Sequence, residues 1–216
     1  MLKKLALLGI IGPLLYLLHI VLGGALWEGY SHIRQAISDL SGSGAPNQAL
    51  IHGILTVYNA CIVLFAIVGY FYFKKSQVKS IRVSMIIFIA ATVVSFSYGF
   101  FPVDLQGAEL TFLGLMHGVV TALIVPLTIL TPLTAGIAFR KIEAFKKYSL
   151  YSFMTAGILF CVGLFTVFLM MSKSDYFGLS ERINIGSFEL WMFLIALKMF
   201  KTDLYADKQA PLAMGM

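Results

Sequence analysis

Few side chains in this sequence can carry chemistry, because 59% of its 216 residues are hydrophobic and only 12% are charged. Arg182 is the natural partner for a phosphate or a carboxylate, since its planar guanidinium donates two parallel hydrogen bonds to an anion. Its alternative role is structural, as one half of a salt bridge to Asp104 or Glu181. Arg182 is therefore a candidate anion-binding residue with a structural alternative.

Glu189, in the stretch SFELW, is an acidic residue within a long apolar run. A charged side chain at the centre of a membrane helix costs about 2.5–3.5 kcal/mol on insertion scales, so such a residue normally faces a partner inside the bundle. Glu189 is then either part of a functional site or a neutral acid that joins helices through hydrogen bonds to Ser or Asn. The sequence favours neither role over the other.

Three of the four histidines, His19, His52 and His117, are candidate metal ligands. No two histidines are spaced i, i+4, so the sequence has no local chelate of the H-E-x-x-H type. A zinc site would need these three to converge from three helices, with Asp39 or Asp104 as a fourth ligand, and would activate a water molecule. Histidines that only form hydrogen bonds are the favoured interpretation, and zinc is kept as the alternative cofactor.

Ser38 and Asp39 lie in the stretch ISDLSGSGAPN, which covers residues 37–47. Neighbouring residues do not share one face of a helix, so this pair is not arranged as a nucleophile and its base. Asp39 either caps a turn through nearby backbone groups or faces a ligand pocket. Ser38 is expected to position the loop.

The segment just before this stretch has a helical pattern. Ile33, Ile37 and Leu40 are spaced i, i+4 and i+7, which places them on one face of a helix. We therefore expect a short amphipathic helix that lies in the membrane interface.

These residues belong to a chain with the composition of a membrane protein. Its mean hydropathy is +0.89, and its apolar runs have the length of about 20 residues that a helix needs to cross a bilayer. Because the runs do not alternate as barrel strands do, we predict an all-α polytopic protein. Its six transmembrane helices, in one bundle and one domain over residues 1–216, are expected at about 5–26, 50–73, 81–101, 112–139, 149–171 and 183–200.

The orientation follows from Lys and Arg, which concentrate on the cytoplasmic side of membrane proteins. With the N-terminus inside, thirteen of the sixteen basic residues lie on the inner side, and only Arg34, Lys173 and Arg182 do not. We therefore predict cytoplasmic termini in a multi-pass protein of the plasma membrane. The net charge of +6 reflects this bias, so it does not indicate a nucleic-acid partner.

Depth along the helices predicts a pocket. Counting from Lys4 and Lys201 at the helical rise places His19 about 22 Å and Glu189 about 18 Å from the inner edge. The other histidines and most acids fall in the outer half, so we expect a polar pocket that opens to the outside. Its rim is expected to comprise Asp39, Asp104, His117 and Arg182, above a floor of His19 and Glu189.

The same stretches resemble a known family. ISDLSGSGAP after the first span, FPVD at the end of the third, GLMHG at the start of the fourth and GLSERI before the sixth are similar, in this order, to the bacterial and archaeal membrane family called domain of unknown function 998. This resemblance covers essentially the whole chain and implies six helices without an assigned reaction.

A more distant likeness is to the six-span Frag/DRAM/Sfk proteins of eukaryotes, which are linked to lipid-anchor remodelling, phosphoinositide regulation and autophagy. This likeness rests on a Ser-Asp pair that is followed by glycine and proline just before the second span. The seven-span ceramidase and adiponectin-receptor hydrolases also place Ser, Asp and His near one face. However, their last helix carries an H-x-x-x-H motif, and the sixth span here has no histidine.

The leading hypothesis is a membrane protein whose outward-facing polar pocket binds, or binds and processes, a lipid headgroup or a small amphiphile. Membrane lipids are its expected partners. Two alternatives stay open: a metal-dependent hydrolase embedded in the membrane, and a structural or regulatory membrane subunit without catalytic activity. A transporter is disfavoured because the inner half of the bundle has almost no ionisable residue away from its rim.

Overall fold

The fold consists of six long helices. A computed structural model describes residues 2–74, 76–105, 107–202 and 204, and within these residues it contains helices and turns but no strand. Six helices are long and apolar enough to cross a membrane, and they are numbered here as the first to sixth spans: Leu2–Ala25, Gln48–Lys74, Lys79–Gly99, Phe112–Phe139, Lys147–Met171 and Phe177–Lys201. The prediction of an all-α protein with six transmembrane helices is confirmed.

The boundaries agree with the sequence except at the start of the sixth span. The fourth span begins and ends at the predicted residues, and the first, second, third and fifth spans differ by at most three residues. The sixth span begins at Phe177 rather than near residue 183, because the polar stretch GLSER forms its first turns. Gly178 and Ser180 are buried there, so the surrounding protein covers polar residues that hydropathy alone assigned to a loop.

The spans form a ring in chain order. Each span packs against the next, and the sixth also packs against the first, which closes the ring. Large buried side chains from the second, third and sixth spans fill the middle, among them Phe65, Phe88, Trp191 and Met192. The fourth span is the least buried of the six. The hydrophobic core therefore lies closer to the other five spans than to the fourth.

An aromatic cluster closes one end of the bundle, called here the basic face, where the second span ends and the fourth span turns into the fifth. Phe145 lies in the turn Glu143–Phe145 between these two spans and is fully buried. Its ring centre lies 5.1 Å from that of Phe73 and 5.2 Å from that of Phe139. A turn that the sequence marks as basic and polar therefore anchors a core residue.

The opposite end of the bundle, called here the loop face, is formed by residues 26–47, 100–111 and 172–176. Residues 26–47 contain a short 3-10 helix at Ser38–Ser41, so the predicted amphipathic helix is wrong. In an α-helix, each backbone carbonyl accepts a hydrogen bond from the N–H four residues later. Here the Ile33 carbonyl instead accepts a hydrogen bond from the Leu179 N–H (2.9 Å) in the sixth span. The Gln35 carbonyl likewise accepts one from Arg182 (2.8 Å).

Candidate functional site

Residues 26–47, which connect the first and second spans and are called here the first loop, lie directly on the start of the sixth span. Gly178 permits this contact, because a Cβ atom at this position would collide with the carbonyl oxygen of Gln35. Glu181 accepts a hydrogen bond from the Ile37 N–H at its Oε2 atom (2.6 Å). An exposed ion pair between Arg34 and Asp175 (3.5 Å) lies at the edge of the same contact. The sixth span therefore provides a platform for the loop backbone.

Arg182 is held by neutral oxygen atoms. Its Nη1 donates to the carbonyls of Gln35 (2.8 Å) and Gly178 (2.9 Å), and its Nη2 donates to the Tyr30 hydroxyl (2.6 Å). Its Nε is buried and has no hydrogen-bond partner among the described residues. The salt bridges to Asp104 or Glu181, considered from the sequence, are not among the ion pairs of the described part of the chain. Neutral oxygen atoms, and no carboxylate, therefore hold the guanidinium among the described residues.

Tyr30 completes this arrangement, although the sequence did not mark it. Its hydroxyl donates to the Ala36 carbonyl (2.6 Å), and its ring centre lies 5.6 Å from the Arg182 guanidinium carbon. Burial raises the pKa of Tyr30 to about 12, although the neighbouring guanidinium opposes this shift. The phenol therefore stays protonated and donates. Since Tyr30 and Arg182 are 152 residues apart, no local spacing pointed to their contact.

Asp39 caps the turn of the first loop. Its Oδ2 accepts a hydrogen bond from the Ala36 N–H (3.1 Å), and the residue is only 8% exposed. Of the two roles predicted for Asp39, the structure supports the cap. Ser38 is half-buried beside it, and its carbonyl accepts a hydrogen bond from the Ser41 hydroxyl (3.3 Å). Ser38 thus takes part in the loop's own structure.

The Asp39 carboxyl makes the stability of this loop depend on pH. Burial raises the pKa of Asp39, and this outweighs the lowering by the Ala36 N–H and by the charge of Arg182. The folded protein therefore binds the proton more tightly than the unfolded chain, so stability falls as pH rises from about 3.8, the ordinary value, through the raised pKa. Asp39→Asn keeps the acceptor without this loss, so the variant gains stability relative to wild type over that pH range.

Thermal unfolding in detergent at several pH values measures this gain. Asp175→Asn is the control, because it removes a carboxylate that is 71% exposed on the same face. A stability difference between Asp39→Asn and wild type that does not change with pH would contradict the prediction.

Asp104 and His117 lie where the third and fourth spans meet the loop face. Asp104 accepts hydrogen bonds from the backbone N–H (2.8 Å) and the hydroxyl (2.9 Å) of Thr111, which caps the fourth span by accepting from the Gly114 N–H (3.2 Å). His117 donates from Nδ1 to the Phe101 carbonyl (2.8 Å). Both residues fix the connection between the third and fourth spans, called here the second loop, to the start of the fourth span.

The first and second loops also touch each other. The Ser43 N–H donates to the Val103 carbonyl (2.8 Å), next to a bridging pair formed by Ser43 and Asp104. Gly42 lies against this contact, since a Cβ atom there would come within 3.1 Å of the Val103 oxygen. The loop face is therefore one connected surface from the sixth span to the fourth.

The three histidines considered as metal ligands have separate environments. His52 donates from Nε2 to the Ser41 carbonyl (3.0 Å), and His117 donates to a carbonyl from Nδ1, so these nitrogens carry protons rather than free lone pairs. Among the described residues, no three His, Cys, Asp or Glu side chains lie where they could share a metal ion. His19, His52 and His117 therefore do not converge into the three-helix site considered above.

The bundle interior holds Glu189 and His19 together with two tyrosines. The Tyr58 hydroxyl donates to Glu189 Oε1 (2.6 Å). The Tyr16 ring centre lies 5.0 Å from that of Tyr58 and 4.5 Å from that of His19. The sequence did not single out the tyrosines, although the i, i+3 spacing of Tyr16 and His19 was a usable signal. The partner of Glu189 is therefore a tyrosine, not the Ser or Asn considered from the sequence.

The seven predicted site residues fall into three places. The first place is where the first loop meets the sixth span, with Ser38, Asp39 and Arg182. The second is where the second loop meets the fourth span, with Asp104 and His117. The third is the bundle interior, with His19 and Glu189. Two surface clefts occur elsewhere, at Lys146, Lys147 and Lys198 and at Leu15, Leu50 and Ile54. A single outward pocket lined by all seven stays a prediction.

Comparison with known proteins gave one match. The family model described as "Protein of unknown function (DUF998)" matches residues 10–198. No curated protein and no solved structure matches the chain. The likeness to the Frag/DRAM/Sfk proteins stays a prediction. Because the matched region extends from the first span into the sixth and so covers most of the bundle, the chain belongs to the DUF998 family.

Proposed function

We propose that the protein is a multi-pass protein of the plasma membrane that binds the anionic headgroup of a lipid or small amphiphile. The proposed site is at the loop face, with that face outside the cell. Support for this orientation comes from the bias of Lys and Arg toward the basic face. The observation that carries the binding proposal is the set of unused donors on Arg182.

Arg182 has more hydrogen-bond donors than its contacts within the protein use. A guanidinium has five N–H donors, and the contacts of Arg182 use two on Nη1 and one on Nη2. Among the described residues, the buried Nε–H has no partner, and by this count the second Nη2 hydrogen also remains. Nε and Nη2 form one edge of the guanidinium, and paired donors of this kind bind a phosphate or carboxylate through two parallel hydrogen bonds. An anionic headgroup would satisfy both.

The nearby carboxylates do not occupy this edge. Asp39 and Glu181 direct oxygen atoms to the backbone N–H groups of Ala36 and Ile37. They stabilise the guanidinium from a distance without bonding to it. Both acids therefore bond to backbone N–H groups of the first loop, and the free edge of Arg182 is open to a ligand.

There is room for the apolar part of a ligand beside the same helix. Gly186 is four residues after Arg182 and three before Glu189, so all three lie near one face of the sixth span. A Cβ atom at Gly186 would meet no heavy atom of a neighbouring element within 4 Å. An acyl chain can therefore lie along this face below the headgroup.

Arg182→Gln is expected to lower the amount of bound anionic lipid about tenfold, because hydrogen bonds to charged groups contribute about 1.5–3 kcal/mol. The measurement is mass spectrometry of lipids retained after purification from nanodiscs of phosphatidylglycerol and phosphatidylcholine in equal amounts. Arg182→Lys is expected to restore only part of the retention, because an ammonium lacks the two-donor edge.

Arg34→Gln is the matched control. It removes the same charge from the same face, but its side chain is 68% exposed and paired with Asp175, so retention should not change. Equal retention by wild type and Arg182→Gln would contradict the proposal and would favour a structural or regulatory role.

A second pair of variants tests the apolar part of the site. Gly186→Leu fills the open space below Arg182 and should reduce retention without loss of folding. Gly157→Leu fills a similarly open position on the fifth span and should leave retention unchanged. An equal effect of both variants would contradict binding along the sixth span.

A further inference from the structure

A cleft on the basic face is lined by three lysines from two distant parts of the chain. Lys146 and Lys147 lie at the start of the fifth span, Lys198 lies in the last turn of the sixth span, and Tyr148 lines the cleft beside them. The cleft has a volume of about 580 Å³, which is within the usual range for small-molecule sites. It is therefore large enough to hold a polar headgroup.

The walls of this cleft are fixed by the core of the bundle. Phe145, which directly precedes Lys146, is fully buried and packs on Phe139 with 5.2 Å between ring centres. The Lys198 ammonium lies 5.9 Å from the centre of the same Phe145 ring. One buried ring therefore holds together the turn before the fifth span and the end of the sixth, so the cleft exists before a ligand binds.

The protein does not neutralise the charge of the cleft. Lys146 pairs with Glu143 (3.7 Å), whereas Lys147 and Lys198 have no carboxylate partner among the described residues. The fifth span has no acidic residue in its first turn and no side-chain cap, although the positive end of a helix disfavours a cation such as Lys147. Three lysine charges and one glutamate charge leave the cleft a net charge of +2. An anion would relieve this excess.

The size of this excess charge matches a phosphate monoester. Such a group carries a charge of about −1.5 to −2 at neutral pH and has three strong acceptor oxygens. A phosphate diester carries a single negative charge and would leave one lysine without a counter-charge. Each ammonium is a compact charge with three rotatable donors, so Lys147 and Lys198 can bind different oxygens of one phosphate.

An exposed apolar strip beside the cleft indicates that the phosphate belongs to a lipid. Leu150 and Met154 follow Lys147 by three and seven residues, so they lie on the same face of the fifth span. They are 68% and 57% exposed in the isolated chain, and the hydrocarbon of a bilayer would cover them. An acyl chain along this strip leads directly to the lysines, and basic pockets at the ends of membrane helices bind lipid headgroups.

We propose that this cleft binds a lipid with a phosphate monoester headgroup, in the leaflet at the basic face. Lys147 and Lys198 contact the phosphate oxygens, and Lys146 adds positive charge at the edge of the site. The acyl chains lie along Leu150 and Met154. The site is at the opposite end of the bundle from Arg182 and selects a different phosphate, so the inference does not rest on the function proposed for the loop face.

Acetylation of lysines in nanodiscs, measured residue by residue with mass spectrometry, tests the proposal because both faces of the protein are accessible there. Lys147 and Lys198 should be protected in phosphatidylcholine that contains phosphatidic acid, and not in phosphatidylcholine with phosphatidylglycerol of equal total charge. Lys74 and Lys79 lie at the same end of the bundle outside the cleft, so both lipids should leave their reaction alike. Arg182→Gln should keep the protection, which separates this site from the one at the loop face.

Glycerol phosphate distinguishes a lipid from a soluble ligand. Added to nanodiscs of phosphatidylcholine alone, it should leave the reaction of Lys147 and Lys198 unchanged, because it lacks the acyl chains that lie on the apolar strip. Protection by glycerol phosphate equal to that by phosphatidic acid would assign the cleft to a soluble phosphate monoester and overturn the lipid proposal.

Two double variants test the lysines themselves by titration of phosphatidic acid onto the protein in detergent, followed by native mass spectrometry. Lys147→Gln with Lys198→Gln should lower the affinity about thirtyfold, the combined effect expected of two lysines close to an anionic lipid. Lys74→Gln with Lys79→Gln removes the same charge from the same end and should leave the affinity unchanged. The proposal is overturned if both double variants lose affinity equally, or if phosphatidylglycerol protects the cleft lysines as well as phosphatidic acid does.

Discussion

Gly178→Ala is expected to lower the free energy of unfolding by about 2 kcal/mol, because overpacking a closely packed contact costs about 1–3 kcal/mol. The added methyl group would collide with the Gln35 carbonyl oxygen, a backbone atom that cannot rotate away, and would come within 2.9 Å of Arg182 Nη1. The first loop must then move off the sixth span. The hydrogen bond from Arg182 to Gln35 would be lost with it, so lipid retention should fall as well. Unfolding in detergent and lipid mass spectrometry measure the two effects.

Gly186→Ala provides a matched control on the same helix. A Cβ atom there meets no heavy atom of a neighbouring element within 4 Å, so the variant should be as stable as wild type or more stable by up to about 1 kcal/mol from helix propensity. If both alanine variants unfold alike, the close contact between Gly178 and the first loop does not contribute to stability.

Phe145→Ala is expected to cost about 3–5 kcal/mol, the usual range for removing a buried Phe side chain. Phe145 is fully buried, and its ring lies within 5.2 Å of those of Phe73 and Phe139, measured between centres. Loss of the ring would leave a cavity where the second, fourth and fifth spans meet. The turn between the fourth and fifth spans would lose its anchor, so the basic face should become accessible to proteases.

Phe168→Ala is the control for Phe145→Ala. Phe168 is 62% exposed on the fifth span, so its removal leaves no cavity inside the bundle and should change the unfolding temperature little. The measurements are the thermal unfolding of both variants in the same detergent and their cleavage at the basic face. A Phe145→Ala variant as stable and as protease-resistant as Phe168→Ala would contradict the assignment of Phe145 to the core.

The first loop shows why local pattern alone was misleading. The spacing of Ile33, Ile37 and Leu40 indicated a helix, and Ile37 and Leu40 are indeed buried. However, the helix does not form, because the Ile33 carbonyl and the Ile37 N–H bond to Leu179 and Glu181 in the sixth span. Periodicity identified two residues that face the core, whereas the third, Ile33, is 49% exposed. It carried no information on where the backbone hydrogen bonds go.

The candidate site was predicted in part. The sequence pointed to Arg182 by its residue type, and to Glu189 by its residue type and its depth in the membrane. It did not identify Tyr30 or Tyr58 as their partners, because these contacts join residues 152 and 131 positions apart. It also grouped Asp104 with Arg182, whereas Asp104 bonds to Thr111, seven residues away.

The sequence by itself determined the class of protein and five of the six spans to within three residues. A bilayer imposes a fixed length of apolar helix, and hydropathy measures that length directly. Only the tertiary structure decided the rest: that GLSER is helical, that Arg182 bonds to Tyr30 and Gln35, and that Tyr58 is the partner of Glu189. These contacts depend on which surfaces meet across the ring, because a buried polar group needs a hydrogen-bond partner and here the partners are distant in the sequence.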